Sequence, residues 1–374
     1  MKYGPILAID TSCDETSVAV TIGRTILSNV IASQTELHRP YGGVFPTVAK
    51  QAHVENIHPA IKTALKRAQL TIKDISALAV TQGPGLAPAL EVGIRVAKEI
   101  ATEHNLPLIP VNHLEGHILS ILALKKQKDV KLLSLIENTN IADSNNLVSP
   151  HFSTKSPILA LIISGGNTQF VSITKPGSYQ ILGSTIDDAA GECLDKVGRL
   201  LNLGYPAGPV VEKFAKLGNP KRFDFPLPMT HTKDFNLSFS GLKTAARNKL
   251  DSELGAKTLT KTELYDFCAS FQSAVFEHIS YKLSKLLKSH SFSEVWVCGG
   301  VAANMTLRKK IRQTVKIATA SQPETVPVKA PLKKSLCGDN AVMIGLVGQL
   351  RLELHLNIPA LYNVERSPKH SLQI

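Results

Sequence analysis

The chain states one plan twice, and that repetition narrows the choice of fold more than any other feature. Ile6-Leu7-Ala8-Ile9-Asp10-Thr11-Ser12-Cys13-Asp14-Glu15-Thr16-Ser17-Val18-Ala19-Val20 reads as strand, polar turn, strand. Ile158-Leu159-Ala160-Leu161-Ile162-Ile163-Ser164-Gly165-Gly166-Asn167-Thr168-Gln169-Phe170-Val171 follows the same plan. Each sets small, hydroxyl or glycine residues at a tight turn between β-rich runs. Backbone N–H groups in such turns can approach an anion, and hydroxyls add donors. One hairpin of this kind says little. Two of them, heading the halves of a chain of 374 residues, imply a duplicated α/β architecture with a ligand between the lobes.

Between the hairpins helix and strand alternate. Val54, Ile57, Ile61 and Ala64/Leu65 fall at helical spacing and predict an amphipathic helix from about Gln51 to Leu70. A strand near Ile75–Val80 meets Gly83-Pro84-Gly85-Leu86, and a helix follows over about Pro88–Glu103 with its proline in the first turn. Leu106–Val111 then reads as a short buried strand, with Asn112 as N-cap of a helix that opens His113-Leu114-Glu115-Gly116-His117. Side chains at i and i+4 share a helix face, so His113 and His117 are placed to share one metal ion while Glu115 points elsewhere. The same spacing also suits two ordinary helix histidines, and the pentapeptide alone leaves both readings open.

From about Lys125 to Ser156 the chain turns polar and turn-rich and reads as a surface insertion or linker. Beyond the second hairpin, Thr260 and Glu263 form a capping box that opens a long helix with Leu264, Cys268, Phe271, Val275, Ile279, Leu283 and Leu286 on one face. The strand Val295–Cys298 runs into Gly299-Gly300 and a new helix start near Asn304, a place where glycines and free helix N–H groups can receive a nucleotide. The expected organisation is a first lobe over 1–124, completed by about 340–374, an insertion over 125–156 and a second lobe over 157–339.

Composition excludes more than it selects. Five cysteines, none in a C-x-x-C pair, support neither a disulfide framework nor a cysteine zinc site, and fit a reducing cytoplasm. No apolar run is long enough to span a bilayer, and no basic-then-apolar leader precedes the first strand, so the expectation is a cytoplasmic protein without a membrane partner. A net charge of +12, with Arg308, Lys309, Lys310, Arg312 and Lys316 clustered late, favours a polyanion such as RNA.

Taken together, the motifs resemble the tRNA N6-adenosine threonylcarbamoyltransferase family, the group of bacterial TsaD and its archaeal and mitochondrial relatives. The blocks are Asp10–Thr16, Gly42-Gly43-Val44-Phe45-Pro46, Gly83–Leu86, His113–His117, Ser164–Gln169, Ile186–Glu192, Phe239–Thr244, Gly299–Asn304 and Cys337–Ile344, in family order over nearly the whole chain. The resemblance implies a two-lobed actin-like ATPase fold with its active site in the interlobe cleft. It implies transfer of the threonylcarbamoyl group of threonylcarbamoyl-AMP to N6 of the adenosine 3′ of the anticodon in tRNAs reading ANN codons.

On the matching positions it implies one divalent ion, iron or zinc, held by His113, His117 and Asp339. It places Ile162, Ile163, Ser164, Gly165 and Gly166 at the adenylate phosphate, Asp195 and Gly208 on the ribose side, Glu212 as a second acidic contact and Asn304 near the base. Ser12 and Glu15 fall at the reaction centre. It also implies tRNA as a partner, with either helper proteins (an inactive paralogue, a small ATPase and a separate synthase) or a homodimer.

Departures from the family pattern are Asp10 for the usual glutamate, Asn167 for histidine, and Pro46-Thr47 with Gln51 ahead of His53. Asparagine hydrogen-bonds but does not titrate. Three other readings compete. A zinc protease helix carries its glutamate directly after the first histidine, whereas here it stands at Glu115. A kinase of the same superfamily would share the glycine turns but has no need of His113, His117 and Asp339 together. A non-catalytic scaffold subunit has no reason to keep all three.

Overall fold

The computed structural model describes residues 4–125, 156–254, 259–356 and 359–372. Most of the expected insertion lies outside the described residues. The chain divides into two compact units, one built from 1–154, 175–178 and 331–374, the other from 155–174 and 179–330. Asp339 therefore belongs to the same unit as the two histidines.

In the first unit β1 (Ile6–Asp10), β2 (Glu15–Ile22) and β3 (Thr25–Ser33) form an antiparallel meander. Strands β4 (Ala77–Gly83) and β5 (Leu108–Asn112) continue it in parallel beyond β1, and β6 (Leu124–Lys125) lies beside β3. The second unit repeats the scheme. β7 (Ile158–Ile163) pairs antiparallel with β8 (Thr168–Lys175), which neighbours β9 (Ser178–Ser184). Parallel strands β10 (Glu294–Cys298) and β11 (Val328–Lys329) extend from the other side of β7. The strand orders are β5-β4-β1-β2-β3-β6 and β11-β10-β7-β8-β9. β1 and β7 are buried along their whole length, which is why both read as unbroken apolar runs rather than alternating ones.

Helices α1 (Thr35–His38), α2 (Pro46–Ala68), α3 (Ala87–His104) and α4 (His113–Leu119) belong to the first unit. α2 begins five residues before the Gln51 expected from apolar spacing, because Phe45 is extended and Pro46 takes the first helical position. Its buried face runs through His53, Ile57, Ala60 and Ala64, so Val54, expected inside, is 38 % exposed. The second unit carries α5 (Ala190–Leu200), α6 (Gly208–Ala215), α7 (Ser240–Lys249), α8 (Lys261–Ser289) and α9 (Met305–Ala318). The Thr260/Glu263 capping box opens α8 as expected, and its apolar face from Cys268 to Leu286 lies in the core of that unit. Last comes α10 (Ala341–Glu353), an almost wholly buried helix laid on β1, β2, β4, β5 and α4 of the first unit.

Candidate functional site

Several residues around the His-Leu-Glu-Gly-His segment help to bring Asp339 to the histidines. Asn112 ends β5 and caps α4, its Oδ1 accepting from the N–H groups of Leu114 and Glu115. Its Nδ2 donates to the carbonyls of His370 and Ser371, so the C-terminal segment fixes which way the capping amide faces. Gly116 is the contact point with α10. A Cβ there would meet Met343 Cγ at 3.0 Å and Ile344 Cδ1 at 3.2 Å, so α4 and α10 pack closely enough that a side chain at this position would push against both. Glu115, 1 % exposed, pairs with Arg351 near the far end of α10 at 3.0 Å, and Arg351 also donates to the Pro110 carbonyl at 2.7 Å. The start of α10 is pinned where the Ala341 N–H donates to Ser17 Oγ at 2.8 Å. With α10 held at both ends, Asp339, two residues before its first turn, has nowhere to go but the histidine face of α4.

The resulting cluster is compact. Asp339 Oδ1 lies 3.4 Å from His113 Nε2 and 3.2 Å from His117 Nε2, and one donor atom from each residue lies within 4.8 Å of the others. Ligands about 2.0–2.1 Å from a tetrahedral ion stand about 3.3 Å apart, so the spacing fits one zinc-sized ion. His113 Nδ1, turned the other way, faces Asp10 Oδ2 at 3.6 Å, the carboxylate behind imidazole that orients a metal-binding histidine. Among the described residues both ring nitrogens of His117, His113 Nδ1, Asp10 Oδ2 and Ser12 Oγ are buried with no hydrogen-bond partner. Of these, His113 Nδ1 and Asp10 Oδ2 face each other, while His117 Nε2 faces Asp339 at 3.2 Å and is the atom that a bound ion would complete.

The electrostatics agree. Burial alone would depress the His113 imidazole, but the Asp339 and Asp10 carboxylates outweigh it and lift it to about 10. Burial likewise opposes the Asp339 carboxylate, yet the two imidazoles hold it well below the usual range. Glu15 is pushed up to about 10, first by burial and then by the nearby carboxylates of Asp14 and Asp339, and the Cys13 thiol is raised by burial and the same acids. A crowd of carboxylates that drives one of its own members neutral is a place where a cation relieves repulsion. The donor set of two imidazoles and one carboxylate suits zinc or iron and leaves coordination positions open.

In the second unit the expected nucleotide residues fall into two groups. Ile162 and Ile163 end β7, and Ser164 closes the turn, its N–H donating to the Asn167 carbonyl at 2.8 Å and its Oγ accepting the Asn167 N–H at 3.0 Å. Gly165 and Gly166 stand exposed, with nothing within 4 Å of a Cβ built on either. Two elements converge on this turn: the N-terminus of α5, where the Gly191 N–H donates to the Ser164 carbonyl, and Gly299 (φ +88°), packed directly on the Ile163 backbone. Asp195 joins the second group, its Oδ1 accepting from the N–H groups of Ala207 and Gly208 at 2.9 and 2.7 Å, which ties the start of α6 to α5. Glu212 lies one turn further along α6 and faces Lys216 at 3.0 Å. Asn304 caps α9, taking the N–H groups of Thr306 and Leu307 on Oδ1 while Nδ2 donates to Gln272 at 2.8 Å.

Sequence reasoning missed Asp10 as the partner of His113 and Arg351 as the partner of Glu115. Both left a trace: Asp10 is an acid ending an apolar strand, and Arg351 is the single cation in a mostly apolar helix.

Two units on one strand plan, with a two-histidine, one-carboxylate cluster on the first, define the actin-like ATPase class of fold carrying a metal-type site. The solved structure of HypF from T. kodakarensis shares this fold with a TM-score of 0.57 at 15 % identity, over 95 % of this chain and 49 % of that one. The chain belongs to the tRNA N6-adenosine threonylcarbamoyltransferase (TsaD) family, whose model matches residues 25–141 and 141–346. It is 41 % identical over 369 residues to the tRNA N6-adenosine threonylcarbamoyltransferase of Lactiplantibacillus plantarum, covering 98 % of this chain and 95 % of that one. It is also 41 % identical to the protein of the same description from Acaryochloris marina, over 97 % and 93 % of the two chains.

Proposed function

We propose that this chain transfers the threonylcarbamoyl group of threonylcarbamoyl-AMP to N6 of the adenosine 3′ of the anticodon in tRNAs reading ANN codons, releasing AMP. The observation that carries the reading is the convergence of His113, His117 and Asp339 among orphaned polar atoms, in a member of this family. N6 attacks the carbamoyl carbonyl, the bond from that carbon to the phosphate oxygen breaks, AMP leaves with the electron pair, and the N6 proton passes to a base.

His113, His117 and Asp339 would hold one divalent ion, zinc or iron, whose contribution is Lewis-acid polarisation of the donor's oxygens. Asp10 orients His113, and the Glu115–Arg351 pair keeps α4 against α10. Ser12 offers a buried hydroxyl to a donor oxygen; Glu15, protonated in its crowded setting, orients the donor phosphate, and would take the N6 proton only where a bound cation offsets its neighbours and ionises it. For the adenylate, Ile162, Ile163, Ser164, Gly165 and Gly166 receive the phosphate, Asp195 and Gly208 the ribose, and Glu212 and Asn304 complete the contacts. Holding donor and weak amine nucleophile in register supplies much of the acceleration.

A protein partner is part of the reading. Leu37, Tyr41 and Phe45 are 51 %, 56 % and 47 % exposed on the first unit, and Tyr41 stacks on Phe45 with centroids 5.0 Å apart. Such a patch suits a second copy or an inactive paralogue, with a small ATPase and a synthase as further helpers. No described helix is long and apolar enough to cross a membrane, and action on tRNA fits the cytoplasm. The test is incubation of the purified chain with tRNA, threonine, bicarbonate, ATP and a synthase, then nucleoside analysis, with and without the paralogue. The modified adenosine is expected in the RNA; its absence in every combination overturns the reading.

A further inference from the structure

The second unit holds a cavity that the transfer chemistry leaves unused. α5 and α7 border a groove of about 480 Å³ lined by Lys196, Arg199, Leu200, Lys243, Thr244 and Arg247. The lining carries four cations and no carboxylate. Behind it Asp188 bridges the two walls, taking Lys196 of α5 on one oxygen and Lys243 of α7 on the other, at 2.5 and 2.9 Å, and Glu192 supports Lys196 at 2.9 Å. The lysines are thus held in place and the groove is preformed. Arg199 and Arg247 are exposed, and Arg247 makes no ion pair among the described residues. Leu200, 41 % exposed, gives the groove an apolar patch between the charges.

We propose that this groove holds the phosphodiester backbone of the RNA substrate, with phosphates at Arg199 and Arg247 and a ribose or base edge over Leu200. The inference rests on the reading of the chain as a tRNA-modifying enzyme. Guanidinium groups match phosphate oxygens with paired N–H donors, and phosphate contacts fix the register of a nucleic acid without reading its sequence. The placement also suits the task. The N-terminus of α5 abuts Ser164 of the glycine hairpin. Along a helix rising about 1.5 Å per residue, Lys196 lies about 8 Å and Arg199 about 12 Å beyond Gly191. An RNA anchored in the groove is therefore held within one helix length of the turn assigned to the donor's phosphate.

The experiment measures tRNA binding by anisotropy without donor, and separately KM and kcat for tRNA, in wild type and three variants. In the double variant Arg199→Glu/Arg247→Glu the dissociation constant and KM for tRNA rise at least tenfold, while kcat at saturating tRNA stays within twofold. The milder Arg199→Gln/Arg247→Gln lowers the slope of log affinity against log salt by about 1–2. The same charge reversal on α9, Lys309→Glu/Lys316→Glu, raises the dissociation constant less than threefold. Equal losses from both reversals mean general electrostatics and overturn the proposal, as does unchanged tRNA affinity in the α5/α7 variants. Displacement of tRNA by polyglutamate as effectively, charge for charge, as by unrelated RNA points to an acidic protein in the groove and overturns it too. Absence of modified nucleoside from wild type would sink the enzymatic reading, and the donor-free binding arm would still decide the groove.

Discussion

The turns after β1 and β7 make an instructive pair. Each spans four residues, 11–14 and 164–167, and joins the central antiparallel strands of its sheet. Around the first stand Asp14, Asp339 and Asp10, which add to burial in pushing the Glu15 carboxyl up to about 10. Around the second stand two exposed glycines, a serine and the N-terminus of α5. One backbone plan has thus been given opposite charge preferences, the first turn suited to a cation and the second to an anion. The difference lies in the side chains and in what packs behind each turn, and predictions follow from breaking one member of the pair at a time.

The largest effect is expected where the cation side loses a ligand. His113→Ala should reduce bound metal from one ion per chain to none and lower threonylcarbamoyl transfer more than about 1000-fold, the scale set by losing a metal's charge stabilisation. AMP binding by the second unit should stay within threefold of wild type. Metal analysis, single-turnover transfer and AMP titration check the three, and full activity in chelator-stripped protein would break the contrast outright.

Next comes the clamp that builds the cation side. Arg351→Met removes one side of the ion pair with the Glu115 carboxylate, which is 1 % exposed, and breaking a buried pair typically costs about 3–5 kcal/mol. Urea unfolding should show that loss, and Glu115→Gln added to it should recover more than half. A double variant no better than the single would mean that Arg351 acts through Pro110 alone.

The second unit contains a neutral device instead. His278, fully buried, accepts the Ser238 N–H on Nε2 and so keeps the Phe235–Thr244 segment in place. Burial, reinforced by Lys282, pulls its imidazole down to about 4. The unfolded chain takes up this proton near pH 6.5, so stability is full above that value, falls as pH drops from about 6.5 to 4, and then levels off. The span corresponds to about 3 kcal/mol. His278→Gln keeps an acceptor without titrating, and its stability should be flat over that interval in pH-dependent unfolding.

How much of this was legible in the sequence follows from how local each feature is. The hairpins, the Asn112 cap and the Thr260 box are set by neighbours within a few residues, and they appear where spacing put them. The start of α2 lies earlier than apolar spacing puts it because Pro46 opens the helix, and its inner face differs because the buried His53 occupies the place that apolar counting assigns to Val54. The metal-type cluster was suggested by His113 and His117, but Asp339 lies more than 200 residues away and came only from the family resemblance. The pairs Asp10–His113 and Glu115–Arg351 depend on how α10 lies across the sheet, which no local pattern encodes. Asn304, expected beside the base, turns out to have its oxygen committed to the α9 cap and one amide hydrogen to Gln272.

The smallest effect tests the anion side most directly. Gly165 has open space where a Cβ would go, and its backbone is not in the left-handed region. Alanine therefore fits without strain and, by restricting the unfolded chain, should stabilise by about 0.4–1 kcal/mol. If the glycine is there so that a phosphate can approach the turn's N–H groups, the added methyl must stand where the ligand would. Gly165→Ala should then raise KM for threonylcarbamoyl-AMP about tenfold, equivalent to about 1.4 kcal/mol of binding, with kcat and metal content unchanged. A substitution that weakens donor binding while strengthening the fold separates ligand approach from packing, which the charged turn of the first unit cannot do, since its acids serve both. Unchanged KM in Gly165→Ala would mean that the openness of the second turn is not for an anion, and the opposition between the two hairpins would fail at its weaker member.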